Sequence, residues 1–372
     1  MPLMHAPQPT AAAGAFLAGI CCFLAPAAPA LDSLESSLEV LDSDLFTLSL
    51  LTLRAEQSAG SWYLDTTISR SDYELDFQPV SFDLLGQAVR IEESAHSLNL
   101  NASKQLEDNL TLKIGLGYRD GFSNYRALWL DTYFDQHFSP LEGIPGYELY
   151  HDAQVSASSL SAGLKWEYLP ANGIATVTVS RIQDNVSPGY EIDFDGIRRG
   201  ELVLASTSLS LVTENVLNKR MRARMALTAT ETSAREVRYS AELAFNTALG
   251  DRFVWRNKLG VATEKPQFDA YFFDTSLEYQ ISDPLALYLQ ARRYADTGEI
   301  ENALLFTTAA PELDNDSLAL GLRYTGQNWS AKLAFTHSHS DFQENNVNVD
   351  FFRNLYRDTD WLNLQLALAK RF

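Results

Sequence analysis

Residues 110–118 read Leu-Thr-Leu-Lys-Ile-Gly-Leu-Gly-Tyr, and this stretch indicates the fold. Every second residue from Leu110 to Tyr118 is apolar, whereas Lys113 and the two glycines occupy positions between them. A two-residue period is typical of a β-strand, because successive strand side chains point to opposite sides. A helix would instead place its apolar residues three or four positions apart. The stretch therefore predicts a strand with one apolar and one polar face.

The same alternation recurs from about residue 61 to the end of the chain, as in residues 271–281 and 317–324. Tight turns near residues 107, 171, 250, 283 and 327 separate many of these segments. The other connections are long and polar: 71–94, 120–153, 185–199, 296–314 and 340–358. A soluble sandwich has no reason to sort its loops by length, whereas a membrane barrel has short turns at one end. The pattern favours an all-β, antiparallel up-and-down transmembrane β-barrel with the short turns in the periplasm.

Aromatic residues support this prediction, because they cluster on the apolar face close to the short turns. They are Trp166, Tyr168, Phe245, Phe253, Trp255, Tyr279, Tyr324 and Trp329. A barrel in a membrane carries such a ring at the interface with water.

Composition excludes other classes of protein. The 372 residues carry a net charge of -19, which leaves no basic surface for nucleic acid. Apolar residues make up 46% of the chain, so wholesale disorder is excluded as well.

The first thirty residues read as a signal peptide for export. An apolar run at 11–24 is followed by Ala28-Pro29-Ala30, which fits a cleavage site and places the mature start at Leu31. Cys21 and Cys22 are the only cysteines, so the mature chain is expected to contain no disulfide and no thiol site.

Residues 31–58 are predicted to form a periplasmic segment outside the barrel domain, which is expected to cover 59–372. Within this segment leucines recur at 3,4,3,4 spacing: Leu31, Leu34, Leu38, Leu41 and Leu45. That spacing predicts a short amphipathic helix, which either caps the barrel or forms a small coiled coil.

The last strand reads Trp-Leu-Asn-Leu-Gln-Leu-Ala-Leu-Ala-Lys-Arg-Phe over 361–372. Leu364, Leu366 and Leu368 alternate towards the terminal Phe372, and this resembles the C-terminal signature of porin-like outer-membrane β-barrel proteins of Gram-negative bacteria. The resemblance implies an outer-membrane location, contact with outer-membrane lipid, and assembly by periplasmic chaperones and the barrel-assembly machinery. Lys370 departs from the apolar residue usual at its position.

About fourteen strands fit this pattern, because both chain ends must lie in the periplasm and the number must be even. Residues 46–54 and 125–134 also read as strands, and including both predicts sixteen.

Strand parity also predicts which charges face the lumen. Those expected to line it most densely are Arg222, Arg224, Arg238, Arg256, Lys258, Arg292, Glu242, Asp274 and Glu278. The same face is assigned Lys113, Arg119, Lys165, Arg181, Arg323, Lys332, Asp65, Glu167 and Glu236. A charge facing lipid at mid-depth costs about 2–4 kcal/mol, so these side chains face water or one another.

No catalytic, metal or cofactor site is expected. His337 and His339 share a strand face, but parity puts that face outside, at the extracellular rim. Ser338 and Ser340 stand next to these histidines without the context of a catalytic triad.

Two functions remain open: a passive diffusion channel for small solutes, and a closed structural or surface-binding barrel that acts through its loops. The aromatic-rich residues 120–153 bear on both, because they either narrow a pore or contact a partner. The oligomeric state stays open.

Overall fold

The computed structural model describes residues 31–77, 89–121, 154–193, 196–232, 235–265, 268–298, 312–343 and 358–372. Sixteen antiparallel strands close into one barrel in which sequence neighbours pair and β1 also pairs with β16. This confirms the predicted all-β, up-and-down architecture. The strands are β1 (Ser33–Asp42), β2 (Phe46–Ala59), β3 (Trp62–Phe77), β4 (Val89–Glu107), β5 (Leu110–Asp120), β6 (Gln154–Leu169), β7 (Gly173–Asp193), β8 (Gly196–Asn218), β9 (Met221–Thr232), β10 (Arg235–Leu249), β11 (Phe253–Glu264), β12 (Phe268–Ser282), β13 (Leu285–Asp296), β14 (Glu312–Thr325), β15 (Trp329–Gln343) and β16 (Thr359–Arg371).

One end of the barrel, here the turn end, contains both the start of β1 and the end of β16. Its connections are all tight: 60–61, 108–109, 170–172, 219–220, 250–252, 283–284 and 326–328. Gly60 and Gly250 adopt φ angles of 65° and 73° there, which suit glycine because it has no Cβ. The opposite, loop end contains the long connections, including 121–153 and 344–358. The turns predicted near 107, 171, 250, 283 and 327 thus share one end.

The helix predicted at the N-terminus is wrong, because residues 33–42 form strand β1. Its ten residues pair with β2 on one side and with β16 on the other. Without β1, both neighbours would expose a strand edge with unpaired backbone groups, and closure of the barrel removes such edges. Closing the ladder outweighs the helical spacing of the leucines.

The barrel therefore begins at Ser33 and not at residue 59, and it has two strands more than the preferred count of fourteen. β2 covers 46–54, one of the two stretches that suggested sixteen. The other stretch, 125–134, lies outside the described residues. The second additional strand is β1, which was mistaken for a helix.

The two faces of the sheet differ as predicted. Leu116, Leu160 and Leu209 are 52–55% exposed on one face, the convex one. On the other face side chains meet across an intervening strand: Arg323 of β14 donates to Glu278 of β12 although β13 lies between them. Such contacts require the curvature of a concave surface. The charged face is therefore the inside of the barrel.

The predicted aromatic residues lie on the outer face near the turn end. Phe253 and Tyr279 pair across neighbouring strands with ring centroids 4.9 Å apart, and Trp166 lies 5.6 Å from Tyr168. Lys370 joins this ring: its Nζ lies 5.2 Å from the ring centroid of Trp329 and 4.8 Å from that of Phe372. These cation–π contacts explain how a lysine is accommodated in the terminal strand.

The predicted loop 185–199 is instead part of a long hairpin. β7 and β8 stay paired up to Asp193 and Gly196, whereas β6 stops pairing with β7 at Ser187 and β9 stops pairing with β8 at Ser206. Among the described residues, the tip of the hairpin is a two-stranded ribbon that pairs with no third strand, and it extends beyond the barrel wall at the loop end.

A small apolar core lies inside the barrel at the loop end, beside the β1–β16 seam. Phe46, Leu75 and Trp361 all point inward there and are at most 8% exposed. The Trp361 indole N–H donates to Ser340 Oγ at 3.0 Å, which satisfies its polar atom. The core thus supports the strands on both sides of the seam.

Candidate functional site

The nine charges expected to line the lumen lie together on the inner face of neighbouring strands. Register shows this, since Arg224 pairs with Ala244, Ala244 with Lys258, and Lys258 with Asp274. We call the inner face of β9–β14 the charged wall. Its members are Arg222, Arg224, Arg238, Glu242, Arg256, Lys258, Glu264, Asp274, Glu278, Arg292 and Arg323.

Glu242 joins three strands of the charged wall. Lys258 Nζ lies 2.6 Å from Glu242 Oε2, and the Arg224 guanidinium donates to Oε1. Two cations share one carboxylate, so this cluster retains a positive charge. All three side chains remain partly exposed, at 21–44%.

Glu278 forms a second cluster of the same kind, but it is more deeply buried. Its side chain is only 7% exposed, and each carboxylate oxygen accepts from a different arginine. Arg256 Nη1 donates at 3.0 Å from β11, and Arg323 donates from β14, two strands away. A carboxylate this buried requires such partners, because an unpaired buried charge is costly.

Three further contacts involve residues of the charged wall. Arg238 Nε donates to Glu264 Oε2 at 2.9 Å, and Glu264 is 4% exposed. Asp274 accepts from the Gln290 amide at 2.7 Å. Arg292 has its guanidinium 5.4 Å from the ring centroid of Phe272.

Arg222, like Arg292, has no ion-pair or hydrogen-bond partner among the described residues, and unlike Arg292 it lies over no aromatic ring in this part of the chain. It lines a cavity of about 290 Å³ at the turn end together with Glu214, which also has no partner among the described residues. Both side chains are exposed on the inner face. An unpaired cation of the charged wall and an unpaired carboxylate of the neighbouring strand β8 thus lie close together at the turn end.

The inner face of β4–β8 is built from small residues, and we call it the small-residue wall. Its middle consists of Ser97, Asn99, Asn101, Gly115, Gly117, Ser159, Ser161, Gly163, Thr176, Thr178, Ser180, Ser208 and Ser210. Charged residues border this stretch: Lys113 lies opposite Gly163, and Arg119, which pairs with Asp184 at 3.0 Å, lies opposite Ser97. The lumen is thus lined by a charged wall on one side and a neutral, hydroxyl-rich wall on the other.

The glycines of the two walls lie beneath different kinds of side chain. A Cβ on Gly115 would meet Ser161 Oγ and Asn101 Oδ1, so short polar groups converge over this glycine. A Cβ on Gly260 or Gly321 would meet the ring of Phe272 or Tyr288. In the charged wall, glycine therefore allows aromatic rings to lie flat on the backbone.

Cations cover these rings on the lumen side. Lys258 Nζ lies 5.0 Å from the ring centroid of Phe272, and Lys332 Nζ lies 5.9 Å from that of Tyr288. The charged wall therefore has two layers of side chains, an aromatic layer beneath a charged one.

Two of the other predicted inward residues differ from expectation. Arg181 faces outward, because it pairs with Leu160 and follows Val177 and Val179 at even spacing. The alternation predicted for β7 was wrong by one residue at Arg181, and a shift of one residue moves a strand side chain to the opposite face. Glu236 lies where the register between β9 and β10 shifts, so parity does not assign it. Lys113, Arg119, Lys165, Arg323, Lys332, Asp65 and Glu167 lie on the inner face.

Sequence reasoning missed several inner-face charges. Arg54 pairs with Asp65 at 2.8 Å and with Glu56 at 2.9 Å, but β2 was outside the predicted barrel. Glu264 has the same parity as Arg256 and Lys258, and counting to the end of β11 would have found it. Glu214 was missed in the same way on β8.

His337 and His339 lie on the outer face, as parity predicts. His339 Nδ1 is 3.0 Å and His337 Nε2 is 3.5 Å from Asp360 Oδ1. Within the described ranges, no group of three or more His, Cys, Asp or Glu side chains is arranged to hold a metal ion. Nor does any helix in this part of the chain have the length and apolarity to cross a membrane.

No protein-family model and no curated protein matches this sequence. Solved structures do match it. CdiB from Acinetobacter baumannii is 7% identical with a TM-score of 0.55, over 92% of this chain and 61% of that one. A bacterial polysaccharide outer membrane secretin is 9% identical with a TM-score of 0.51, over 91% of this chain and 98% of that one. The chain thus spans less than two thirds of CdiB, and at these identities the likeness shows the barrel fold alone.

Proposed function

We propose that this protein is a passive diffusion channel for small solutes in the outer membrane of a Gram-negative bacterium. The observation that carries the proposal is the inner face of a closed sixteen-stranded barrel, which holds charged and small polar side chains. Barrels of sixteen to eighteen strands are wide enough to leave an aqueous channel. The proposal assigns this chain no catalytic role and no cofactor.

The membrane location is supported by the outer face. Leucines and other large apolar residues are 36–59% exposed there, an arrangement that is costly in water and favourable in lipid. The aromatic ring at the turn end fits one membrane interface. The secretin with the same fold is an outer-membrane protein by its description, which supports the same location for this chain.

Assembly follows from the same proposal. The exported chain would reach the membrane with periplasmic chaperones, and the barrel-assembly machinery would recognise Leu364, Leu366, Leu368 and Phe372. The turn end would lie in the periplasm. With Cys21 and Cys22 replaced by Ser, a cysteine at Thr297 should react with an impermeant thiol reagent on whole cells, whereas one at Asp283 should not. The reverse labelling would invert the orientation.

The charge pattern gives the channel a weak preference for anions. The Glu242 and Glu278 clusters each combine two cations with one carboxylate and so keep one positive charge. Charged rings of this type set selectivity in pores. Pairing reduces the field of each cation, and the preference stays small for that reason.

Single-channel recording in a planar bilayer tests the proposal. The refolded chain should give stable, voltage-independent conductance steps, with a reversal potential in a salt gradient that indicates weak anion preference. A folded, heat-modifiable barrel that conducts no ions would refute a channel.

A second function is favoured by one observation, the ribbon at the tip of β7 and β8. A strand pair that extends beyond the barrel presents unpaired backbone groups to another molecule. A closed barrel that binds a partner through this ribbon is the alternative, and the same recordings separate the two functions.

A further inference from the structure

The two walls leave unequal space in front of them. The small-residue wall carries Ser, Thr, Asn and Gly side chains, which reach only one or two heavy atoms beyond Cβ. At Gly115 and Gly117 even these short groups fold back over the backbone. The side chains in the middle of the small-residue wall therefore project less far into the lumen than those of the charged wall.

The charged wall fills its side of the lumen with long side chains. Phe272 and Tyr288 lie over glycines, and Lys258 and Lys332 lie over these rings. Arg323 crosses the inner surface of β13 to reach Glu278. At Gly260 and Gly321, two layers of side chains therefore stand between the backbone and the lumen.

The seam between β16 and β1 is filled as well at the loop end. Phe46 is 3%, Leu75 is 0% and Trp361 is 8% exposed although all three point inward. Phe46 also packs against Tyr73, with ring centroids 6.1 Å apart. This apolar core fills the lumen beside the seam at the loop end, where the side chains of Phe46 and Leu75 offer a polar solute no hydrogen-bonding groups.

We propose that solutes cross the barrel off-centre, along the small-residue wall, and that this wall favours neutral, polyhydroxylated molecules. The inference rests on the proposed channel function. Hydroxyl and amide groups both donate and accept hydrogen bonds, so they replace the water around a sugar-like solute without binding an ion. Examples are the Ser69–Ser97 pair at 2.6 Å and the Ser208–Thr230 pair at 2.8 Å, which flank the wall on both sides.

The absence of ionised groups in the middle of this wall decides the solute class. Asn99, Ser159 and Ser161 face the lumen there without a charged partner on the neighbouring strands at their level. Asn101 pairs with Asp65 of β3, whose carboxylate already accepts from Arg54 at 2.8 Å. An ion passing along this wall loses part of its hydration without gaining a partner, which is unfavourable. A neutral polyol loses less, because hydroxyl–water bonds are exchanged for hydroxyl–protein bonds.

Thiol modification of matched serines tests the route. In the chain with Cys21 and Cys22 replaced by Ser, Ser180→Cys places a thiol on the small-residue wall, and Ser276→Cys places one on the charged wall. Both serines point inward and are half-buried. A bulky, neutral, membrane-impermeant maleimide should lower the single-channel conductance of Ser180→Cys several-fold and that of Ser276→Cys by less than a third.

Measurements of solute flux test whether the channel favours neutral, polyhydroxylated solutes. Proteoliposome swelling should be several-fold faster with glucose than with gluconate or glucosamine, which have similar size and opposite charges. Replacing Asn99 and Asn101 with Leu should abolish this advantage, whereas Ser276→Leu should leave it unchanged.

The outcomes separate the inference from the function on which it rests. Equal loss of conductance at residues 180 and 276 would show a central route and overturn the inference while the channel stands. Equal swelling rates for the three solutes would overturn the solute class. An unmodified barrel without conductance or swelling would refute the channel itself.

Discussion

The charged wall and the small-residue wall face each other across one lumen, and they are built by opposite means. Both belong to the same closed ladder of backbone hydrogen bonds, and both present apolar residues to the outside. The charged wall is ordered by paired charges such as those on Glu278, whereas the small-residue wall is covered by short, uncharged side chains. The surroundings of a barrel therefore constrain the residue types on its outer face, whereas the side chains on the inner face vary from strand to strand.

Removing a buried carboxylate should give the largest effect. Glu278→Ala leaves Arg256 and Arg323 without their shared partner, and breaking a buried pair costs about 3–5 kcal/mol. Because the two arginines are 35% and 44% exposed, we expect a smaller loss of unfolding free energy, about 1–3 kcal/mol. Urea titration in lipid vesicles measures it. Glu214→Ala is the matched control, since it removes an unpaired carboxylate, and it should change stability by less than about 0.5 kcal/mol.

Adding a methyl group to a glycine should destabilise the charged wall more than the small-residue wall. Gly260→Ala must displace the Phe272 ring together with Lys258 above it, and overpacking of this type costs about 1–3 kcal/mol. Gly115→Ala meets only Ser161 Oγ and Asn101 Oδ1 closely, and these groups can rotate away. Urea titrations of both variants should therefore show a larger loss of unfolding free energy for Gly260→Ala than for Gly115→Ala. Equal losses would contradict the two-layer description of the charged wall.

The reversal potential in a salt gradient should shift in opposite directions when Arg222 and Glu214, two unpaired charges near the turn end, are neutralised. Arg222→Gln removes an unpaired cation and should shift the potential towards cation preference, whereas Glu214→Gln should shift it towards anions. The double variant should return close to the unmodified value, because its net change in charge is zero. Both shifts should shrink at about 1 M salt, where the Debye length is near 3 Å. A shift that persists at this ionic strength would indicate a change of pore shape instead of charge.

The smallest effect is expected from a single hydroxyl of the small-residue side. Ser69→Ala removes the hydrogen bond to Ser97, and a neutral bond of this kind contributes about 0.5–1.5 kcal/mol. Both residues are only part-buried, so water replaces the lost partner and the loss should fall at the lower limit. A loss as large as that of Glu278→Ala would show that the small-residue wall also depends on its side-chain contacts.

Most of the barrel was predictable because the two-residue period is local. Residues 110–118 determine their own strand and their own faces, and the nine main lumen charges follow from the same parity. The prediction failed at residues 33–42, where the leucine spacing fits a helix better than a strand: in β1, Leu34 and Leu38 face outward, whereas Leu41 faces inward. Only the two unpaired edges of β2 and β16 decide between them, and these edges do not exist until the other strands have assembled.

The ion pairs were beyond prediction for a related reason. Parity places Glu278 and Arg323 on the same face, but they are 45 residues apart and lie on strands that are not neighbours. Their contact depends on the curvature of the closed barrel, which brings side chains two strands apart together on the concave side. The sequence by itself thus determined the strands, their faces and the apolar exterior, because these depend on local alternation and on solvent. Tertiary structure alone decided the strand number, the pairing of the charges and the unequal walls, because each depends on closure and on which strands become neighbours.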